Sequence, residues 1–185
     1  MLGLKTYIKE NLGYSEYQIA QMKYALDCIF AEMSKLIIMG IFFACIHRLL
    51  LFTFSIFTLL LLRTCTGGLH FDHYLSCLIV SFLIIGLSVV ILPHIYTAKW
   101  LQLLILIGCI IINYLYAPIV SKYRPIPEGI RVRKAKKQSF IIITIYALIL
   151  FVFPPNTYIC VGFWTIVLQS LQLIAAKYMK GGVNQ

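Results

Sequence analysis

Polar residues are sparse along this chain and cluster together, so the apolar runs between them outline an architecture directly. Ser15-Glu16-Tyr17-Gln18 has the form of a capping box, in which the Ser15 hydroxyl accepts the Gln18 backbone N–H, with Tyr14 and Ile19 spaced as a hydrophobic staple. From there Ile19, Met22, Leu26, Ile29, Phe30 and Met33 recur at helical spacing, and Glu16, Lys23, Asp27 and Glu32 occupy the remaining surface. This predicts an amphipathic helix over 15–33, in the membrane interface or packed on a bundle. The stretch 36–62 is almost wholly apolar and is broken once, at His47-Arg48. Either one tilted helix of roughly 40 Å or two short helices turning at that pair would fit it. A polar, glycine-containing break follows from Arg63 to His73. Further apolar runs are Tyr74–Leu92, Trp100–Tyr116, Phe140–Phe153 and Tyr158–Ala176, separated by Pro93-His94, by a basic loop over 118–139, and by Pro154-Pro155-Asn156.

Composition agrees with lipid as the main solvent. Of 185 residues 61% are hydrophobic and 12% charged, with a mean hydropathy of +0.91, against about 45–50% apolar and 25% charged in soluble domains. Sixteen Lys and Arg against six Asp and Glu give a formal charge of +10. In this composition the excess points to membrane topology and not to a nucleic-acid partner, because basic residues collect on the cytoplasmic side. Counting segments outward from the basic loop, a hairpin over 36–62 leaves only Arg48 and Lys99 outside, whereas a single span would also place Lys5, Lys9, Lys23 and Lys35 there. Six segments are therefore preferred. The expected fold is an all-α polytopic transmembrane bundle of about six membrane segments within 36–176, the first two short, preceded by the amphipathic helix. One integral membrane domain spans 1–185, in the cell membrane, with both termini cytoplasmic. Residues 1–11 lack the apolar core of a cleavable signal peptide.

Reactive side chains gather in one segment, which carries Arg63, Gly67, Gly68, His70, Asp72, His73 and Cys77 at the cytoplasmic mouth of a membrane helix. A Cys becomes a useful nucleophile when a nearby imidazole takes its proton and holds the thiolate. Two geometries compete for that role. His73 and Cys77 are one turn apart on a continuous helix and would touch without further folding. His70 lies roughly 10 Å from Cys77 along an unbroken helix, so it reaches only if the chain before Asp72 folds back, which Gly67-Gly68 and an Asp72 N-cap would permit. The same His70, His73 and Cys77 could offer three ligands to a metal, but there is no CxxC or HxxxH pair to complete a site, so no metal or cofactor is expected. The six cysteines are irregularly spaced and do not read as a disulfide framework. The rival function is a non-enzymatic membrane peptide transporter or scaffold; against a pump, there is no phosphate loop and no charge deep in a span.

Arg63, Gly-Gly-x-His over 67–70, Cys77 at the start of a membrane helix, Tyr116-Ala117-Pro118 and the following Lys122, Arg124 and Pro125 together resemble the accessory gene regulator B (AgrB) family, across essentially the whole chain. The resemblance implies a membrane cysteine endopeptidase of peptide quorum sensing. Such an enzyme cuts a precursor peptide on its C-terminal side, keeps the N-terminal part as a thioester, and lets a Cys within the peptide close a thiolactone ring. By matching positions it implies Cys77 as nucleophile and His70 as base, with Arg63, Gly67 and Gly68 as supporting residues; His73 is the alternative base, and no third group can be read from the pattern, Asp72 and Ser81 being the nearby candidates.

Lys122, Arg124, Arg131, Arg133, Lys134, Lys136 and Lys137 have two compatible readings, as an anchor on anionic membrane lipids and as a docking surface for the acidic C-terminal tail that precursors of this family carry. The resemblance also implies a homodimer. Asn113, Gln169, Ser170 and Gln172, within or near spans, need hydrogen-bond partners inside one protomer or across two.

Overall fold

The computed structural model describes residues 15–68, 73–95, 97–119 and 129–180. Its helices are α1 (Glu16–Cys45), α2 (Leu49–Thr66), α3 (Tyr74–Gly86), α4 (Lys99–Tyr116), α5 (Gly129–Val152) and α6 (Thr157–Lys180). A π-helical turn, Leu87–Ile91, and a 3-10 turn, Leu92–His94, prolong α3. Among the described residues there are six helices long and apolar enough to cross a membrane. The only β pairing among them is an isolated parallel bridge between Gly67 and Ile119. The chain is thus all-α and polytopic.

Two compact units divide at Phe42/Phe43. In the first, the capping box forms as its sequence predicts: the Ser15 N–H donates to Gln18 Oε1 at 2.9 Å, and the Gln18 N–H to Ser15 Oγ at 3.3 Å. Tyr14 of the expected staple lies outside the described residues. The helix does not stop at 33. It runs on for 30 residues to Cys45, so the amphipathic segment and the first half of the 36–62 hairpin are one element. No Gly or Pro stands between Met33 and Leu36 to end it. The polar residues there bond within the helix instead, Ser34 Oγ to the Ala31 carbonyl and Lys35 to Glu32 at 2.6 Å. The turn at His47-Arg48 is present. His47 takes the left-handed conformation, φ 56°, and the N–H groups of His47 and Arg48 close back on the carbonyls of Ala44 and Phe43.

In the second unit α6 is the hub, with half of its span buried. Leu62 of α2, Leu106 and Cys109 of α4, Ile143, Tyr146 and Leu150 of α5, and Ile159, Phe163 and Ile166 of α6 form one core. Close approach of α5 and α6 depends on Gly162, where a Cβ would collide with the Tyr146 hydroxyl and lie 2.9 Å from Phe54. Tyr146 Oη donates to the Ile159 carbonyl at 2.6 Å. Outer faces such as Trp100, Leu104, Ile107 and Ile111 of α4 remain exposed and apolar, as a lipid-facing surface requires. Hydroxyls stitch the interior: Ser55 of α2 bonds Ser88 at 3.1 Å and Thr165 at 2.8 Å. The widened π turn also leaves the Val89 carbonyl open to Arg48 Nη1, at 3.0 Å.

The expected 118–139 loop is shorter than its charge pattern predicts, because Gly129–Ser139 belongs to α5. Beyond Pro127 the segment up to Ser139 has no further proline and is rich in Arg and Lys, both sound helix formers.

Candidate functional site

The reactive segment sits where α2 ends and α3 begins. Gly67 leaves α2 at φ 71°, ψ −152°, a region essentially closed to residues with a side chain. Its N–H closes on the Arg63 carbonyl at 2.9 Å, while the Ile119 N–H reaches the Thr66 carbonyl at 2.9 Å, joining the segment after α4 to the end of α2. A Cβ on Gly67 would run into the Ile119 carbonyl oxygen. Gly68 is buried, and a Cβ there would lie 3.3 Å from Arg63 Nε, so the guanidinium covers this residue. Arg63 Nη2 is itself buried and makes no hydrogen bond among the described residues.

From the other side comes Gln169 of α6, fully buried. Its Nε2 donates to the Gly67 carbonyl at 3.0 Å and, more weakly, to Thr66 Oγ1 at 3.4 Å. Thr66 Oγ1 adds a contact to the same carbonyl at 3.3 Å. The glycine turn is therefore clamped by α2, by the post-α4 segment and by α6.

His70 and Asp72 lie outside the described residues. The chain is described again at His73, which is the N-cap of α3 with extended backbone (φ −99°, ψ 130°) and an exposed side chain. The helix thus begins one residue later than an Asp72 cap would start it. His73 therefore precedes the first helical residue, and its side chain makes no cap hydrogen bond. Cys77 is in the first turn of α3, 8% exposed, with its N–H toward the His73 carbonyl at 3.3 Å. Negative charge is favoured at such a helix start. Ser81 is half-buried one turn further on.

The basic side chains collect at the same end of the second unit. Arg131, Arg133, Lys134 and Lys137 are exposed at the start of α5. Lys136 lies over the Tyr114 ring and Lys177 over Tyr116, each 4.9 Å from the centroid. Lys122 and Arg124 lie outside the described residues. At the opposite end are Arg48 and Lys99, the latter donating to the Phe153 carbonyl at 3.0 Å.

Two partners that sequence reading left unassigned are Gln169 and Ile119. Gln169 had a signal, a polar residue in a span that must bond something; what it bonds was not legible. Asn113 Nδ2 reaches Ser170 Oγ at 2.8 Å, so this pair is met within one chain, whereas Asn113 Oδ1, Gln169 Oε1 and Gln172 Oε1 make no hydrogen bond among the described residues.

The pattern of the accessory gene regulator B family matches residues 3–173. The chain is 29% identical over 176 residues to an AgrB-like protein of Clostridium beijerinckii, covering 93% of this chain and 85% of the relative. It is 26% identical over 180 residues to accessory gene regulator protein B of Staphylococcus aureus, covering 95% and 92% respectively. To the protein of the same name from Staphylococcus saprophyticus it is 29% identical over 153 residues, 81% of this chain and 77% of that one. No solved structure matches.

Proposed function

The chain belongs to the accessory gene regulator B family, and on that premise we propose that it is a membrane-embedded cysteine endopeptidase that processes a quorum-sensing precursor peptide. The His70 imidazole takes the Cys77 proton, and the thiolate attacks the scissile carbonyl carbon. The C–N bond breaks, the departing amine of the C-terminal part receives the proton, and the N-terminal part stays on Cys77 as a thioester. A Cys thiolate within the peptide then attacks that carbonyl, forming the thiolactone and releasing Cys77 as thiolate. Exchange of one thioester for another changes little in bond energy, so the acyl-enzyme has to outlast hydrolysis; a recessed site that excludes water serves this.

The observation that carries the reading is the position of Cys77: buried, in the first turn of a membrane helix, at the end of the chain's second unit where Arg63 and the clamped Gly67-Gly68 turn also lie. The experiment is co-expression with the candidate precursor and a cleavage assay. Cys77→Ser and His70→Ala should each abolish processing, and His73→Ala should keep it. Unchanged processing in the first two would eliminate the peptidase and leave the transporter or scaffold; loss with His73→Ala alone would make His73 the base.

The site and both termini face the cytoplasm in this proposal, supported by the basic residues at the site's end. In a background without other reactive thiols, a Cys introduced by Glu128→Cys should label from inside and one by His94→Cys from outside; the reverse pattern refutes the orientation. The exposed bases of α5, with Lys122 and Arg124, receive the precursor's acidic tail and anionic lipid. The enzyme works as a homodimer, which crosslinking in native membranes tests; a band only at protomer mass, with the crosslinkable residues accessible, would count against it.

A further inference from the structure

We infer that Gln169 is a positioning residue for the catalytic pair, holding through its side-chain amide the glycine turn from which the chain runs on to His70. The inference rests on the proposed peptidase reading and assigns a role to a residue on a different helix, far along the chain from the reactive segment.

The turn at Gly67-Gly68 decides in which direction the following residues leave α2. Its geometry is one that glycine alone tolerates, φ 71° with ψ −152°, so local propensity does not hold it. What holds it is the surrounding structure. The Gly67 N–H is capped by Arg63, and Thr66 is tied to Ile119. The Gly67 carbonyl would otherwise be a polar group facing the interior of a bundle; it accepts from Gln169 Nε2 at 3.0 Å. Gln169 is 0% exposed and its Oε1 makes no hydrogen bond among the described residues. An amide buried at the expense of an unmatched acceptor is a costly choice for a packing position, where Leu or Met would fit with no such penalty. Its neighbour Ser170 bonds Asn113 instead, so the two adjacent residues of α6 serve different helices, and of the two it is Gln169 that reaches the turn.

Removing the donor while keeping the shape frees the Gly67 carbonyl to rotate, and if the turn positions the catalytic pair, the reactivity of Cys77 falls with it. The readout is the alkylation rate of Cys77 by iodoacetamide at neutral pH, in native membranes, with the other cysteines replaced and the rate normalised to folded protein. An ordinary thiol is only a few per cent thiolate near pH 7, so loss of the imidazole partner should slow alkylation by about tenfold or more. Gln169→Met should slow it nearly as much as His70→Ala, and should lower kcat for precursor cleavage with KM little changed. Ser170→Ala, which loosens α4 against α6 without touching the turn, should leave the rate at wild-type value. Thr66→Val removes the hydroxyl that accepts from Gln169 Nε2 at 3.4 Å and lies 3.3 Å from the Gly67 carbonyl, its own proton going to the Leu62 carbonyl at 3.0 Å; it should give a smaller loss and carries the same test from α2 if Gln169→Met does not accumulate. A wild-type rate in Gln169→Met, or in Thr66→Val where that replaces it, overturns the inference, as does an equal loss in Ser170→Ala. If His70→Ala itself leaves the rate unchanged, it is the His70–Cys77 pairing that fails, a result distinguishable from failure of Gln169 alone.

Discussion

Replacing Gly67 by alanine tests the clamp directly. Alanine at φ 71°, ψ −152° costs about 1–3 kcal/mol of backbone strain. The new Cβ also runs into the Ile119 carbonyl oxygen, with the Ile119 carbonyl carbon at 3.1 Å, and these are backbone atoms that no rotamer change can move aside. Pushing that segment away forfeits the Ile119 N–H to Thr66 carbonyl bond of 2.9 Å, about 0.5–1.5 kcal/mol. Reduced freedom of the unfolded chain returns about 0.4–1 kcal/mol. The midpoints of these terms net to a loss of about 2 kcal/mol, which for a chain of this size corresponds to a Tm about 4–8 °C lower. Gly68→Ala is the internal control. Its Cβ would meet Arg63 Nε at 3.3 Å, the end of a flexible side chain, and its backbone is not left-handed, so the stability loss should stay below about 1 kcal/mol. The assay is thermal unfolding of detergent-solubilised protein alongside precursor cleavage. Equal Tm values for the two variants would refute the claim that Gly67 is chosen for its backbone and its contact with Ile119.

Tyr146→Phe should lose about 1 kcal/mol, because it removes a buried 2.6 Å bond to the Ile159 carbonyl. Gly162→Ala should cost more, and Tyr146→Phe should recover part of that loss by removing the hydroxyl the new methyl meets; additive values in a double-mutant cycle of Tm would count against this contact. Asn113→Leu should change stability by only about 0.5–1 kcal/mol, since the bond it loses to Ser170 is offset by no longer burying an unmatched Oδ1; a drop of several kcal/mol in detergent unfolding would contradict that balance. Replacing Arg131, Arg133, Lys134 and Lys137 together by Ala should raise KM for an acidic-tailed precursor and flatten its dependence on salt, leaving kcat near wild type. An unchanged KM would remove docking from their role.

Much of this molecule was legible as one dimension of pattern. Lipid replaces water around a spanning helix, so runs such as Tyr74–Leu92 and Tyr158–Ala176 must be apolar and the breaks between them polar; the pattern therefore located the spans, the turn at His47-Arg48 and the capping box at Ser15. The gathering of Arg63, Gly67, Gly68 and Cys77 was equally visible, because they are neighbours along the chain. Element ends were harder: nothing in Met33–Leu36 says whether a helix stops, and only bonds within α1 show that it continues. A basic run at 129–139 reads as loop by charge, yet Arg, Lys and Ala also favour helix, and Lys136 finds the Tyr114 ring in the folded chain. What tertiary structure alone decided is which distant backbone the glycine turn meets. Gln169 and Ile119 are joined to Gly67 by helix packing across α2, α4 and α6, and an interhelical contact leaves no periodicity in either helix, so no local signal could have paired them.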